Sequence, residues 1–283
     1  MGRGGSRVPQ SARRNAARLQ IATSILCLGL ATLAPSSLVR AAAAPAPAQP
    51  AIVERVDPKS VEALQRMSAY LQALPAFGLT SQTSLDLVLR DGQKVMIDGV
   101  GRYKVRRPAG FAIDIESNLK ARRFIYDGKQ FTIFAPKLGY FATVAAPATN
   151  RETLDVLWTR YGIALPLEDL FRWSDPNGAR DDRLQSGFRV GTVVLDGVDT
   201  EQYVFREPGF DWQIWIQTGD KPLPLKLVIV DRTDPSHPAY VARLTWDVSP
   251  TFADNDFAFR PDKDAKPVHI SLITSVQSAG GAR

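Results

Sequence analysis

The alternation of apolar and polar residues changes period along the chain, and the changes mark its parts. Val61, Leu64, Met67, Leu71 and Leu74 recur at three- and four-residue steps, which predicts an amphipathic helix. Asp57 can cap its start, Pro58 suits the first helical position and Pro75 ends it. From Ser81 the period becomes two. Leu85, Leu87 and Leu89 alternate with Asp86 and Arg90, Asp91-Gly92 turns the chain, and Val95 and Ile97 resume on a return strand. Phe111, Ile113 and Ile115 share one face of the next strand, and short strands follow at 124–126, 131–134 and 140–144, the first two joined by Asp127-Gly128.

Between Thr149 and Phe171 the strand period lapses. Leu154, Leu157 and Tyr161, then Leu167, Leu170 and Phe171, predict two helical pieces broken at Pro166. Strands return at 187–195, 200–207, 210–231 and 239–248. In the third of these, F-D-W-Q-I-W-I-Q-T-G-D-K-P-L-P-L-K-L-V-I-V-D predicts a hairpin. Trp212, Ile214 and Ile216 fall on one face of its first strand, with Trp215 on the other; Leu225, Leu227 and Ile229 share a face of the second. About ten or eleven strands with a leading helix and one helical insert favour a single mainly β (α+β) domain. The expected form is a strongly curved antiparallel sheet whose concave apolar face is covered by helices. A split into two domains at the helical insert is the alternative.

Charge changes the picture only at the start of the chain. The formal net charge is +6, which by itself would admit a nucleic-acid partner. Residues 1–43 hold Arg3, Arg7, Arg13, Arg14, Arg18 and Arg40 and no acid, so their removal leaves a formally neutral remainder. That segment has the three parts of a secretory signal: an Arg-rich start, an apolar stretch over 19–33, and small residues ending in Ala41-Ala42-Ala43-Ala44. Cleavage is expected after Ala43 and export follows, with membrane contact only transient. Arg13-Arg14 leaves a twin-arginine route open beside the general one. A retained anchor is disfavoured because Thr23, Ser24, Gly29, Thr32 and Pro35 interrupt the apolar stretch. Cys27 lies inside the signal and is the sole cysteine, so the mature chain has no thiol, disulfide or Cys-ligated metal. Residues 44–56 read as a Pro/Ala linker, 57–261 as the folded domain and 262–283 as a loose tail.

Candidate chemistry is sparse. His237 and His269 are the two histidines, and neither has a spaced ligand partner or an orienting carboxylate nearby. No nucleophile elbow or phosphate-cradling loop occurs. Asp254, Asn255 and Asp256 suggest a calcium loop, but the motif's glycine and closing glutamate are missing, so a turn between Phe252 and Phe257 is expected. Arg102, Lys104, Arg106 and Arg107 alternate with Tyr103 and Val105 as on a solvated strand face, with a phosphate or headgroup contact as the other reading. No catalytic residue, metal or cofactor is therefore assigned.

Three blocks carry a family resemblance: Y-D-G-K-Q-F-T-I-F-A-P-K-L-G-Y-F-A-T-V-A-A-P-A-T at 126–149, Y-G-I-A-L-P-L-E-D-L-F at 161–171, and D-W-Q-I-W-I-Q-T-G-D-K-P-L-P-L-K-L-V-I at 211–229. Together they resemble the DUF2092 family of predicted periplasmic proteins, over nearly all of the mature chain. That family is similar in fold to the lipoprotein carriers LolA and LolB, which implies an unclosed barrel and a helical lid around an apolar cavity for acyl chains. It implies no established activity.

The function expected from these readings is non-catalytic binding of a lipid, an acylated protein or another amphiphile on an apolar face. Leu87, Ile97, Phe111, Ile113, Phe124, Phe131, Trp212, Ile214 and Leu225 are its candidate lining residues. A packed module recognising an envelope protein is the alternative, and a carboxylate-dependent hydrolase a minor third.

Overall fold

The computed structural model describes residues 56–167 and 183–271. The expected signal segment and nearly all of the Pro/Ala linker lie outside these, as does most of the second expected helical piece.

The first helix, α1, runs Pro58–Ala73, and the Asp57 side chain accepts from the Lys59 N–H at its start. Its buried stripe is Ser60, Ala63, Met67 and Leu71, whereas Val61 and Leu64 are only half-buried. The stripe turns towards small residues because the N-terminal half of α1 lies close against the sheet. A Cβ added at Gly187 would stand 3.1 Å from Ser60 Oγ and 2.7 Å from the Phe205 ring. Close approach here requires both a serine and a glycine.

Twelve strands follow: β1 (Ala76–Val88), β2 (Lys94–Arg106), β3 (Phe111–Ser117), β4 (Ala121–Tyr126), β5 (Gln130–Ala135), β6 (Tyr140–Ala145), β7 (Ser186–Leu195), β8 (Val198–Glu207), β9 (Phe210–Gln217), β10 (Pro224–Asp231), β11 (Ala239–Asp247) and the two-residue β12 (Lys266–Pro267). They form one sheet in the order β12-β6-β5-β4-β3-β2-β1-β11-β10-β9-β8-β7. Two antiparallel meanders, β1 to β6 and β7 to β11, are thus joined along a β1/β11 seam that runs from Gly78↔Asp247 to Leu85↔Tyr240. A second helix, α2 (Asn150–Tyr161), lies in the sequence between the meanders. Thr149 caps its start and Gly162, at φ 63, ends it in the left-handed conformation.

The sheet is open, with β7 and β12 as its edges, but it is not strongly curled, and the expectation of a strongly curved half-barrel is corrected on this point. A period of two states which face of a strand is apolar and is silent about curl. Curl is introduced by bulges and glycine kinks. Among the described pairings the register shifts at only two places, Arg189/Gly191 and Pro224/Lys226, both in the later meander.

One apolar core forms between the sheet and the helices. Met67 and Leu71 of α1 and Leu154 and Leu157 of α2 join Phe77, Val105, Phe111, Tyr126, Phe131, Phe205 and Ile214 from the strands. Phe111 is the hub of an aromatic group, with ring centroids 5.3 Å from Tyr126 and 6.2 Å from Phe131. Asn150 fixes α2 to the sheet: its Oδ1 accepts from Gly110 N–H at 2.8 Å and its Nδ2 donates to the Arg106 carbonyl at 2.9 Å. Asn150→Ala is expected to cost about 2 kcal/mol, since it leaves a buried donor and acceptor without partners; a chemical denaturation midpoint measures it.

Two features that stand far apart in the sequence meet here. The F-A-D-N-D-F segment forms a short 3-10 helix, Asp254–Phe257, whose acids bind the basic run of β2. Lys104 pairs with Asp256, and Arg106 with Asp254 at 2.7 Å. The Arg106 guanidinium also stands 4.6 Å over the Phe257 ring. Arg107 donates instead to the Leu71 carbonyl in the last turn of α1, where the helix dipole favours a cation. The hydrogen bond from Lys104, followed by that from the Ala253 N–H, holds the Asp256 carboxyl below its ordinary value of 3.8. Because the folded value is the lower one, this contribution is complete above the ordinary value and is lost as pH falls through the folded value. Amide exchange in 252–259, corrected for intrinsic rate, should therefore rise as pH falls below about 4, and Asp256→Asn should show the faster exchange already at neutral pH.

Candidate functional site

The register places a continuous series of side chains on the helix side of the sheet. Along β1 these are Phe77, Leu79, Ser81, Thr83, Leu85 and Leu87, and opposite them on β2 stand Val105, Tyr103, Gly101, Gly99, Ile97 and Val95. The first members of each series are buried under the helices. The last are not: Leu85 is 47% exposed, Leu87 41% and Val95 37%. Tyr240 on β11 pairs with Leu85, and Ile229 on β10 pairs with Tyr240, so the strip continues across the seam.

The residues expected to line a ligand site therefore separate into two groups. Phe111, Ile113, Phe124, Phe131, Trp212 and Ile214 are buried members of the packed core. Leu225 is half-buried at its margin. Leu87 and Ile97 lie away from these, on the uncovered strip, with Ile97 half-buried.

Between packed core and open strip lies a polar boundary. Ser81 and Tyr103 are 0% and 2% exposed, and neither hydroxyl has a hydrogen-bond partner among the described residues. A Cβ at Gly101 would come within 2.5 Å of Ser81 Oγ, 2.8 Å of the Tyr103 ring and 3.0 Å of Ile115. The Tyr103 ring thus lies beside Gly101, one row further along the face than its own strand position. Burial first, and then the neighbouring Tyr240 phenol, push the Tyr103 hydroxyl above its ordinary range; Ser81 lies close enough to temper the shift without completing a hydrogen bond. Burial likewise raises Tyr240 to about 12. Both phenols are neutral donors at any physiological pH. Ser81 and Tyr103 carry no motif, but the G-V-G at 99–101, in mid-strand, is the signal that a backbone there is closely approached.

The opposite face carries a depression of about 620 Å³ bordered by Ser84, Asp98, Arg102, Glu116, Lys226 and Arg243. Its charges are largely engaged: Ser84 donates to Asp98 at 2.5 Å, Arg243 binds Asp196 at 2.7 and 2.9 Å, and Lys226 stands 4.4 Å over the Trp215 ring. A further polar group lies on the helix side near α1. The Glu201 carboxylate accepts from Tyr203 at 2.6 Å and from Arg189 at 2.8 Å. The Tyr203 hydrogen bond is the larger cause of its lowered pKa, while burial chiefly raises Tyr203 to about 12.

These values bear on catalysis. Asp86, Glu201, Asp231 and Asp256, the described carboxylates whose pKa departs clearly from the ordinary value, are all lowered. A general acid requires the opposite shift. Among the described residues no group of three or more His, Cys, Asp or Glu side chains is placed to hold a metal. His237 occupies a turn at φ 46. No described helix is long and apolar enough to cross a membrane.

Several solved structures are similar to this chain over most of their length. A crystal structure of an uncharacterized conserved protein from Thermus thermophilus is similar at 13% identity and a TM-score of 0.45, over 75% of this chain and 99% of that one. LprF from Mycobacterium bovis is similar at 12% identity and a TM-score of 0.41, over 72% and 99%. A LolA superfamily protein from Nitrosomonas europaea is similar at 9% identity and a TM-score of 0.36, over 71% and 97%. A comparison with curated protein sequences finds no match. The family described as "Predicted periplasmic protein (DUF2092)" matches residues 60–271, a span that takes in most of α1, all twelve strands and the polar boundary of the helix-side face, and the chain belongs to this periplasmic family.

Proposed function

We propose that the protein binds an amphiphile, a lipid or the acylated end of a protein, on the helix-side face of its sheet and without covalent chemistry. The observation that carries this reading is the uncovered apolar strip of Leu85, Leu87, Val95 and Ile97, which runs directly into buried hydroxyls that have no partner among the described residues. An exposed apolar strip is costly to keep in water unless something covers it. Burying one acyl methylene contributes about 0.8 kcal/mol, so ten contribute roughly 8 kcal/mol before the costs of association.

The test is native mass spectrometry and solvent extraction of protein purified from its own periplasm, with titration of a fluorescent fatty acid. A co-purifying amphiphile and saturable binding support the reading. Clean extracts together with no binding overturn it.

A second reading is an interaction module that pairs an envelope protein with the edge strand β7. It is favoured by Phe188, Val190 and Val194 on that strand, 40%, 52% and 60% exposed, since an open edge with apolar side chains is a template for strand addition. Co-purification of one protein partner, lost on Val190→Lys, would support it.

A further inference from the structure

Resting on the amphiphile reading, we infer that Ser81, Tyr103 and Tyr240 form the polar subsite of the binding face, and that it selects an uncharged acyl ester over a carboxylate or a phosphate.

The first argument is the state of the hydroxyls. A buried polar group without a partner is costly, and here two stand side by side: Ser81 Oγ and Tyr103 OH, in the middle of the central strand pair. Gly101 leaves the space that brings them together, because any side chain there would collide with both. Each hydroxyl has a proton to donate, and an ester carbonyl accepts up to two. Tyr240, half-buried and the strand partner of Leu85, has its phenol near enough to act on that of Tyr103. A lipid whose carbonyl meets Ser81 and Tyr103 can lay its chain outward over Thr83 towards Leu85, Ile97 and Leu87. Ser81 to Leu87 spans six residues, about 20 Å of strand, which is room for a long acyl chain.

The second argument is charge. From the Ser81 row outward, the helix-side positions of β1, β2, β3, β10 and β11 carry no cation among the described residues, and their one charged side chain is the acid Asp231 at the end of β10, as the register shows. The alternate positions of the same strands point to the other face and hold Asp98, Arg102, Asp114, Glu116, Lys226 and Arg243. An anionic end group would thus be desolvated with no counter-ion, whereas a neutral carbonyl needs only the donors that are there. The basic run of β2 does not help it, since Lys104 and Arg106 are paired with Asp256 and Asp254.

The experiment is displacement of the uncharged fluorophore N-phenyl-1-naphthylamine from the full mature protein at about pH 8, where palmitate is fully ionised, by 1-monopalmitoylglycerol, palmitate and hexadecyl phosphate, the last of which has no ester carbonyl. The glyceride is expected to displace the probe at a concentration about tenfold lower than either anion, the size of one or two hydrogen bonds plus the unpaired charge. Tyr103→Phe and Ser81→Ala should weaken the glyceride alone and bring the ratio to within about twofold. Both variants remove an unpartnered hydroxyl, so their thermal midpoints should equal or exceed that of the parent; this separates a binding role from a structural one. Equal displacement by glyceride and palmitate in the parent, or an unchanged ratio in both variants, overturns the subsite. Failure of the probe and of every lipid to bind overturns the amphiphile reading itself, and the subsite with it. A native mass increment equal to one lipid, and not to a protein, assigns the ester to a free lipid.

Discussion

Phe111→Ala is expected to destabilise the protein by about 3–5 kcal/mol, seen as a lower denaturant midpoint at unchanged slope. Phe111 is fully buried. Its ring contacts Tyr126 and Phe131 in tilted geometry, so its removal forfeits apolar transfer, aromatic contact and packing together. The site cannot collapse easily. Phe111 pairs with Val105 on one side and Tyr126 on the other, and Asn150 bonds of α2 hold the adjoining Gly110 and Arg106 backbone in place. A cavity lined by ordered neighbours retains most of its volume, and the cost follows that volume. A loss below about 1 kcal/mol would mean that the core beneath α2 repacks freely, contrary to the arrangement described.

The second large effect falls on binding. The double substitution Leu85→Asp with Leu87→Asp should leave the melting temperature nearly unchanged, because both side chains are more than two-fifths exposed and surface changes are mostly neutral. Each leucine covered by a lipid chain contributes about 1 kcal/mol from the half of its surface still open. The pair should therefore weaken a long-chain lipid by at least 30-fold, about 2 kcal/mol, and further if the new carboxylates are desolvated. Fluorophore displacement by monopalmitoylglycerol reads the affinity. Unchanged affinity with unchanged stability would place the ligand elsewhere.

The two substitutions separate roles that the sequence merges. A period of two puts Phe111, Ile113, Leu85 and Leu87 on equivalent positions of their strands, and all four read alike as apolar face. In the structure Phe111 and Ile113 are sealed under helices while Leu85 and Leu87 are open. The difference depends on where α1 and α2 lie, which no strand encodes. The polar boundary was hidden for a related reason: a serine and a tyrosine in a strand are unremarkable until neither finds a partner, and a missing partner is a property of the surroundings.

The leading helix with its caps, the helix after Thr149, the strands β1 to β11 and the apolar faces of β3 and β9 were determined by the sequence alone, whereas β12 lies in the segment expected to be a loose tail. Trp212, Ile214 and Ile216 of the 210–231 hairpin do face the core, with Trp215 on the other side. These follow from local forces, since the 2.0 and 3.6 residue periods and the fixed φ of proline act within a few residues. Tertiary structure alone decided the β1/β11 seam, the clamp between β2 and Asp254–Phe257, the shift of the buried stripe of α1 to Ser60 and Ala63, and the absence of strong curl. Each of these links residues far apart in the chain, 148 and 152 positions for the two ion pairs. Such contacts form only where the close approach of glycine and serine, the few bulges and the burial of aromatic rings favour one register over its alternatives.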